Sequence, residues 1–238
     1  MNQDIKGQIK YLKDRTEDLE QLCRNELHEG DVSNDVKNVF QDIVIRTNRL
    51  LDIIMYDFFE REIAPQLTLE EKNIYEKKVT FPVASKPTDI KGILGQFGLK
   101  DLETRNPKLY SVIDSYQPYQ RHNKWIKHLR DFSNLGHRKL IPQAKRNDKR
   151  LILGESLRIN VRKGSSLNMR GCTVKGLPVH ELQVDDEKVT GRLDQRLNPK
   201  IENLVTYFVE GTSVDTLSLC KHSVSKIEGL AEKFQSII

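Results

Sequence analysis

Tyr116–Pro142 reads YQPYQRHNKWIKHLRDFSNLGHRKLIP and decides how the rest of the chain is divided. Before it, apolar residues recur at helical spacing; after it they come in short alternating runs, so the stretch marks a change from helix to strand. It contains the only tryptophan, Trp125, and three of the six histidines. Pro118 opens an expected helix over Tyr119 to about Leu135. At ~100° per residue, Leu129 and Phe132 share a side with Trp125 and form the expected core stripe. Arg130, Asn134 and His137 fall together on a polar stripe of their own, provided the helix runs through Gly136.

Upstream, residues 3–28 carry Ile5, Ile9, Leu12, Leu19, Leu22 and Leu27, recurring mostly at three, four and seven, the pattern of an amphipathic helix. Glu29-Gly30-Asp31 is a stop, with Gly30 suited to a left-handed cap. Ser33 or Asn34 then caps a second helix to about Ile63, ended by Pro65, and the short loop between the two predicts an antiparallel hairpin. Shorter elements follow. Thr68 begins a helix with Glu70 and Glu71 in its first turn, FPVASKP is a loop, Thr88-Asp89 caps a helix ending at Gly98, and Asn106-Pro107 starts another over Lys108–Tyr116.

Downstream, AKRNDKR reads as a basic turn, and the runs RLIL, SLRINV, NMRGCTV, PVHELQV and NLVTYFVE read as four or five short strands. From Thr212 or Ser213 a last helix carries Val214, Leu217, Val224, Ile227, Leu230 and Phe234. The segregated order argues an α+β fold rather than alternating α/β. The expected organisation is a helical body over 1–142, a small antiparallel β-rich insertion over 143–211, and a C-terminal helix over 212–238 that packs back on the body.

Charge narrows the function. Arg121–Arg150 holds ten Lys/Arg against Asp131 and Asp148, a local +8 in a chain of net +5, so everything else sums to −3. Such a concentration points to a polyanion, nucleic acid first, or else to a solvated face. No apolar run approaches the ~18 residues that span a bilayer, and the start MNQDIKGQIK lacks a signal-peptide core, so a cytoplasmic protein without membrane contact is expected. Cys23, Cys172 and Cys220 lie far apart, which suits a reducing compartment and argues against a disulfide or metal framework. The phosphate-loop, dinucleotide, zinc-protease and serine-hydrolase motifs are absent; Gly164-Ser165-Ser166 and Asp185-Asp186-Glu187 read as turns, and His28, His180 and His222 as ordinary surface or core histidines.

Within the focal stretch, Arg130-Asp131-Phe132-Ser133-Asn134-Leu135-Gly136-His137 resembles the Arg-x4-6-His signature of the HEPN family. The longer string WIKHLRDFSNLGHRKL is similar to a pattern of bacterial HEPN-like proteins, departing from it at Gly136, where lysine is usual. These are small helical bundles, many of them metal-independent ribonucleases of toxin–antitoxin, phage-defence and RNA-processing systems. The resemblance implies a mainly α-helical HEPN-like bundle with the β insertion before its last helix. It further implies a homodimer acting on RNA, with an antitoxin or other protein as a further partner and no metal or cofactor. Arg130 and His137 would be the catalytic pair, Asp131 and Asn134 would orient it, and Lys127, Arg138 and Lys139 would hold RNA. Arg121 and His128 repeat the spacing but fall beside Trp125 and Phe132, where a core edge is expected.

The implied chemistry is coherent without a metal. A 2′-hydroxyl attacking the adjacent phosphorus needs a proton carrier near neutral pKa, which histidine supplies, and a fixed cation on the phosphorane, which arginine supplies with a bidentate fork. Seven residues separate Arg130 from His137, so they share a helix face ~10 Å apart along the axis, and a dimer would interleave two copies. The alternative is a non-catalytic HEPN-like module that binds RNA or a protein through the same basic surface or through the β-rich segment 150–210.

Overall fold

A computed structural model describes residues 2–25, 31–141, 143–154, 157–162, 166–185 and 188–237. Leu27, His28, the stop at Glu29-Gly30, Pro142, Gly164-Ser165 and Asp186-Glu187 lie outside the described residues. The chain combines helices with small antiparallel sheets, an α+β fold, and divides into two units. One comprises Met1–Leu22, Ser33–Pro142 and Val214–Ile238; the other comprises Cys23–Val32 and Gln143–Ser213. No described helix is long and apolar enough to cross a membrane.

The helical unit is built around one long helix. Ser33 caps α2 (Asn34–Phe58) by accepting from the Val36 N–H at 3.2 Å. The chain then stays helical through a wide turn, Phe59–Ile63, and a tight one, Ala64–Gln66, which places the stop at Pro65 as the sequence suggests. Preceding it is α1 (Gln3–Asn25). Asn2 donates to Asp57 at 3.1 Å and the Tyr11 hydroxyl donates to Asp42 at 3.0 Å, so α1 and α2 run antiparallel. α3 (Leu69–Tyr75) opens with a reciprocal cap between Thr68 and Glu71. α4 (Ile90–Gly95), the four-residue α5 (Leu102–Arg105), which the sequence did not suggest, and α6 (Pro107–Ser115) follow. α7 (Lys124–Gly136) packs against α2, and α8 (Thr216–Gln235), capped by Asp215, packs against both. The Phe58 and Phe234 rings meet edge to face at 6.0 Å, joining α2 to α8.

The focal helix starts later than expected. Residues 119–123 form turns, because side chains there bond backwards rather than along a helix. The Tyr119 hydroxyl and the Gln120 amide both donate to Asp114, and Asn123 donates to the Ser115 carbonyl. His122 takes the left-handed conformation at φ 72, which no helix accommodates. From Lys124 onward the projection holds, with Trp125, Leu129 and Phe132 buried.

An extended segment, Val79–Ala84, crosses this unit without helix or strand. Buried backbone polar groups need partners, and side chains supply them here. Phe81 donates its N–H to Asp52 at 3.0 Å and accepts from Arg130 at 3.0 Å. The fully buried Gln117 donates to the Pro82 carbonyl at 2.9 Å and accepts from the Ala84 N–H at 2.8 Å.

In the other unit, β1 (Gln143–Leu153) lies between β2 (Leu157–Arg162) and β6 (Lys200–Val209), while β4 (Leu177–Asp185) lies between β3 (Leu167–Val174) and β5 (Lys188–Leu193), all antiparallel. Leu151, Leu153 and Val161 from the first sheet share one core with Val174, Val179, Leu182 and Val184 from the second. The basic run AKRNDKR is strand, not turn: Gln143–Ile152 pairs throughout with Lys200–Val209, whose Val, Tyr and Phe residues favour strand strongly enough to override the polar composition. β5 also escaped the sequence reading, being short and holding a glycine. Gly191 sits at φ +137 opposite a bulge in β4, and a Cβ there would lie 2.2 Å from the Glu181 carbonyl oxygen.

Replacing Gln117 with leucine keeps the volume and strands the Ala84 N–H and Pro82 carbonyl. Urea denaturation of Gln117→Leu should show a loss of about 2 kcal/mol; wild-type stability would mean that water satisfies the segment.

Candidate functional site

Of the residues singled out in the sequence, Arg130 has the most defined surroundings. Its two terminal nitrogens donate to the two Asp52 carboxylate oxygens at 3.1 and 3.0 Å, and Nη2 also donates to the Phe81 carbonyl. Asp52 Oδ1 in turn accepts from the Phe81 N–H. The fork is therefore bidentate on one carboxylate and closed by backbone, with side-chain exposures of 24% for Arg130 and 27% for Asp52. Three of its five N–H donors are thereby engaged, and a phosphate taking the same edge of the guanidinium would have to displace Asp52.

His137 lies seven residues on, at the other end of the visible stripe. It follows the last residue of α7, keeps a helical φ of −69 and donates its N–H to Ser133 at 3.1 Å. Its side chain is exposed, as are those of Arg138 and Lys139, and among the described residues no hydrogen bond or ion pair engages any of the three. Their position is nevertheless fixed. Gln41 on α2 donates to the Gly136 carbonyl at 2.8 Å and accepts from the Ile141 N–H at 3.1 Å. One amide thus holds both ends of the segment His137–Leu140, and Ile141 is fully buried beside it. Gly136 suits this close approach: a Cβ would meet Gln41 Cγ at 3.2 Å and Ile45 Cδ1 at 3.3 Å, tighter than ordinary contact.

Lys127, Asp131 and Asn134 are exposed along α7, and none of the three bonds Arg130 or His137. The structure therefore brings His137, Arg138 and Lys139 together on one held loop, while Arg130 faces α2 and the 79–84 segment. Cations at a helix C-terminus also complement the helix dipole, which stabilises the loop whatever it binds. His128, by contrast, stacks on Phe132 at 5.8 Å. Burial lowers its pKa below the ordinary histidine range, Asp131 opposes that shift, and Lys127 and Lys124 add to it.

The chain matches no family model, no curated protein and no solved structure. Its site is accordingly described by its own geometry. Three residues that shape it, Asp52, Gln41 and Gln117, were not singled out in the sequence. Asp52 left a trace, a carboxylate inside the apolar run Leu50-Leu51-Asp52-Ile53-Ile54, where an acid needs a partner. Nothing in the local sequence marks Gln41, because its role depends on where α7 ends against α2.

Asp52→Ala would leave the Arg130 guanidinium and the Phe81 N–H without their acceptor. The expected loss is about 2 kcal/mol, below the value for a fully buried pair because both side chains retain some solvent access. Chemical denaturation of the variant checks it, and a loss under about 0.5 kcal/mol would reduce the pair to an ordinary surface contact.

Proposed function

We propose that the helical unit is a HEPN-like RNA-binding module whose phosphate contacts come from the loop after α7 and whose arginine signature residue is structural. The observation that carries this reading is the division along α7: the Arg130 fork is engaged by Asp52 and Phe81, while His137, Arg138 and Lys139 stand exposed on a loop fixed by Gln41. Cations preorganised by a neutral clamp lose little entropy on binding a phosphate backbone, and Lys127 extends the basic surface along the helix. The proposed partner is RNA, with a second copy of the chain or another protein completing the surface.

A second reading, the metal-independent endoribonuclease, is favoured by one feature: His137 is exposed beside two cations, where an imidazole meets a phosphodiester without steric obstruction. It requires a transition-state cation other than Arg130 as it is paired here, or release of Arg130 from Asp52. In that reading His137 moves the proton, Asp131 and Asn134 orient it, and a toxin or phage-defence role follows.

A labelled single-stranded RNA, kept in EDTA, separates the two. Binding should weaken steeply with salt, and changing Arg138 and Lys139 together to glutamate should weaken it at least about tenfold and flatten the salt dependence. Intact RNA after prolonged incubation supports the binding reading. Cleavage that disappears in His137→Ala would replace it with the nuclease, and no affinity at low salt would reject both.

A further inference from the structure

Besides its core stripe, α2 carries a second line of residues, Ile45, Arg49 and Ile53, spaced four apart on the side away from the core. The two isoleucines are half-buried and Arg49 is exposed. With Gln8 of α1, Asp42 and Arg46 they line a groove of about 330 Å³, a size at which small ligands are held. Asp42, the carboxylate in this lining, is already neutralised. It accepts from the Tyr11 hydroxyl at 3.0 Å and from Arg46 at 2.7 Å, with Arg15 at 3.8 Å. Arg46 is in turn held 4.8 Å over the Tyr11 ring. Among the described residues Arg49 has no partner. The groove is therefore an apolar floor under an uncommitted guanidinium, complementary to an anion that carries a flat apolar body.

Its position sharpens this. Ile45, which lines the groove, is one of the two side chains that a Cβ on Gly136 would meet, and Asp42 directly follows Gln41. The groove thus adjoins the clamp that holds His137–Lys139. The geometry points to this groove as the seat of one nucleotide of a single-stranded RNA. The base lies on Ile45 and Ile53 and stacks on the Arg49 guanidinium, while a neighbouring phosphate is held by Arg138 and Lys139. This deepens the RNA-binding reading and rests on it, but a free mononucleotide would also fit the same groove.

Two measurements on the full chain test it. Arg49→Glu lies on an exposed position and should melt like the wild type, yet should weaken binding of a labelled single-stranded RNA about tenfold. Independently, AMP added to protein labelled at its isoleucine methyls should shift Ile45 and Ile53 while leaving the buried Ile43 in place, and adenosine, lacking the phosphate, should shift them far less. RNA affinity unchanged in Arg49→Glu but lost in the Arg138/Lys139 double variant would overturn the groove and leave the loop standing. An affinity loss without methyl shifts would also overturn it, reducing Arg49 to a backbone contact. Methyl shifts with AMP in a protein that fails to bind RNA would keep the groove as a mononucleotide site and remove the RNA reading.

Discussion

One oxygen of Asp52 accepts from both Arg130 and the Phe81 N–H, and this shared acceptor ties three parts of the helical unit together. α2 supplies the carboxylate, α7 the guanidinium and the extended 79–84 segment the backbone. A segment that crosses a core without helix or strand must have its polar groups satisfied by side chains, and Asp52, Arg130 and Gln117 do this between them. Removing any one leaves a donor or acceptor of the segment without its side-chain partner. The Asp52–Arg130 pair also ties α7 to α2, the helix whose Gln41 meets the end of α7.

Where α7 ends decides what the molecule presents. Gly136 allows the helix to lie directly on Gln41 and Ile45, and the Gln41 amide then bonds on both sides of the following loop. The charged residues of the loop need no ion pairs to hold their place, so they remain available to an external anion. Residues close together in the sequence thus have different surroundings. Arg130 supports the fold, whereas His137, Arg138 and Lys139 form the surface on which the RNA-binding reading depends. The groove along Ile45, Arg49 and Ile53 continues that surface on the neighbouring helix.

Much of this was legible in the sequence wherever the determinant was local. The Ser33 and Thr68 caps, the Pro65 stop, the Asn106-Pro107 start and the stripe through Trp125, Leu129 and Phe132 all follow from short-range chemistry, and the structure has them in those places. Long-range determinants stayed hidden. The focal helix starts late because Tyr119 and Gln120 donate back to Asp114, and the basic run after Pro142 is strand because of its partner at Lys200–Val209; neither partner is visible locally. At the site, helical projection put Arg130 and His137 on one stripe, but angles do not reveal that a carboxylate 78 residues away faces Arg130.

The central claim is that Arg130 is a structural residue and that the loop after α7 carries the phosphate contacts. Arginine side-chain NMR tests it directly, by following the Nε–Hε signals of Arg130 and Arg138 while single-stranded RNA is added in EDTA. The account predicts that the Arg138 signal moves with saturation and that the Arg130 signal, held by Asp52, stays where it is. Movement of Arg130 to a phosphate-bound position would contradict it and return that residue to the chemistry of the site.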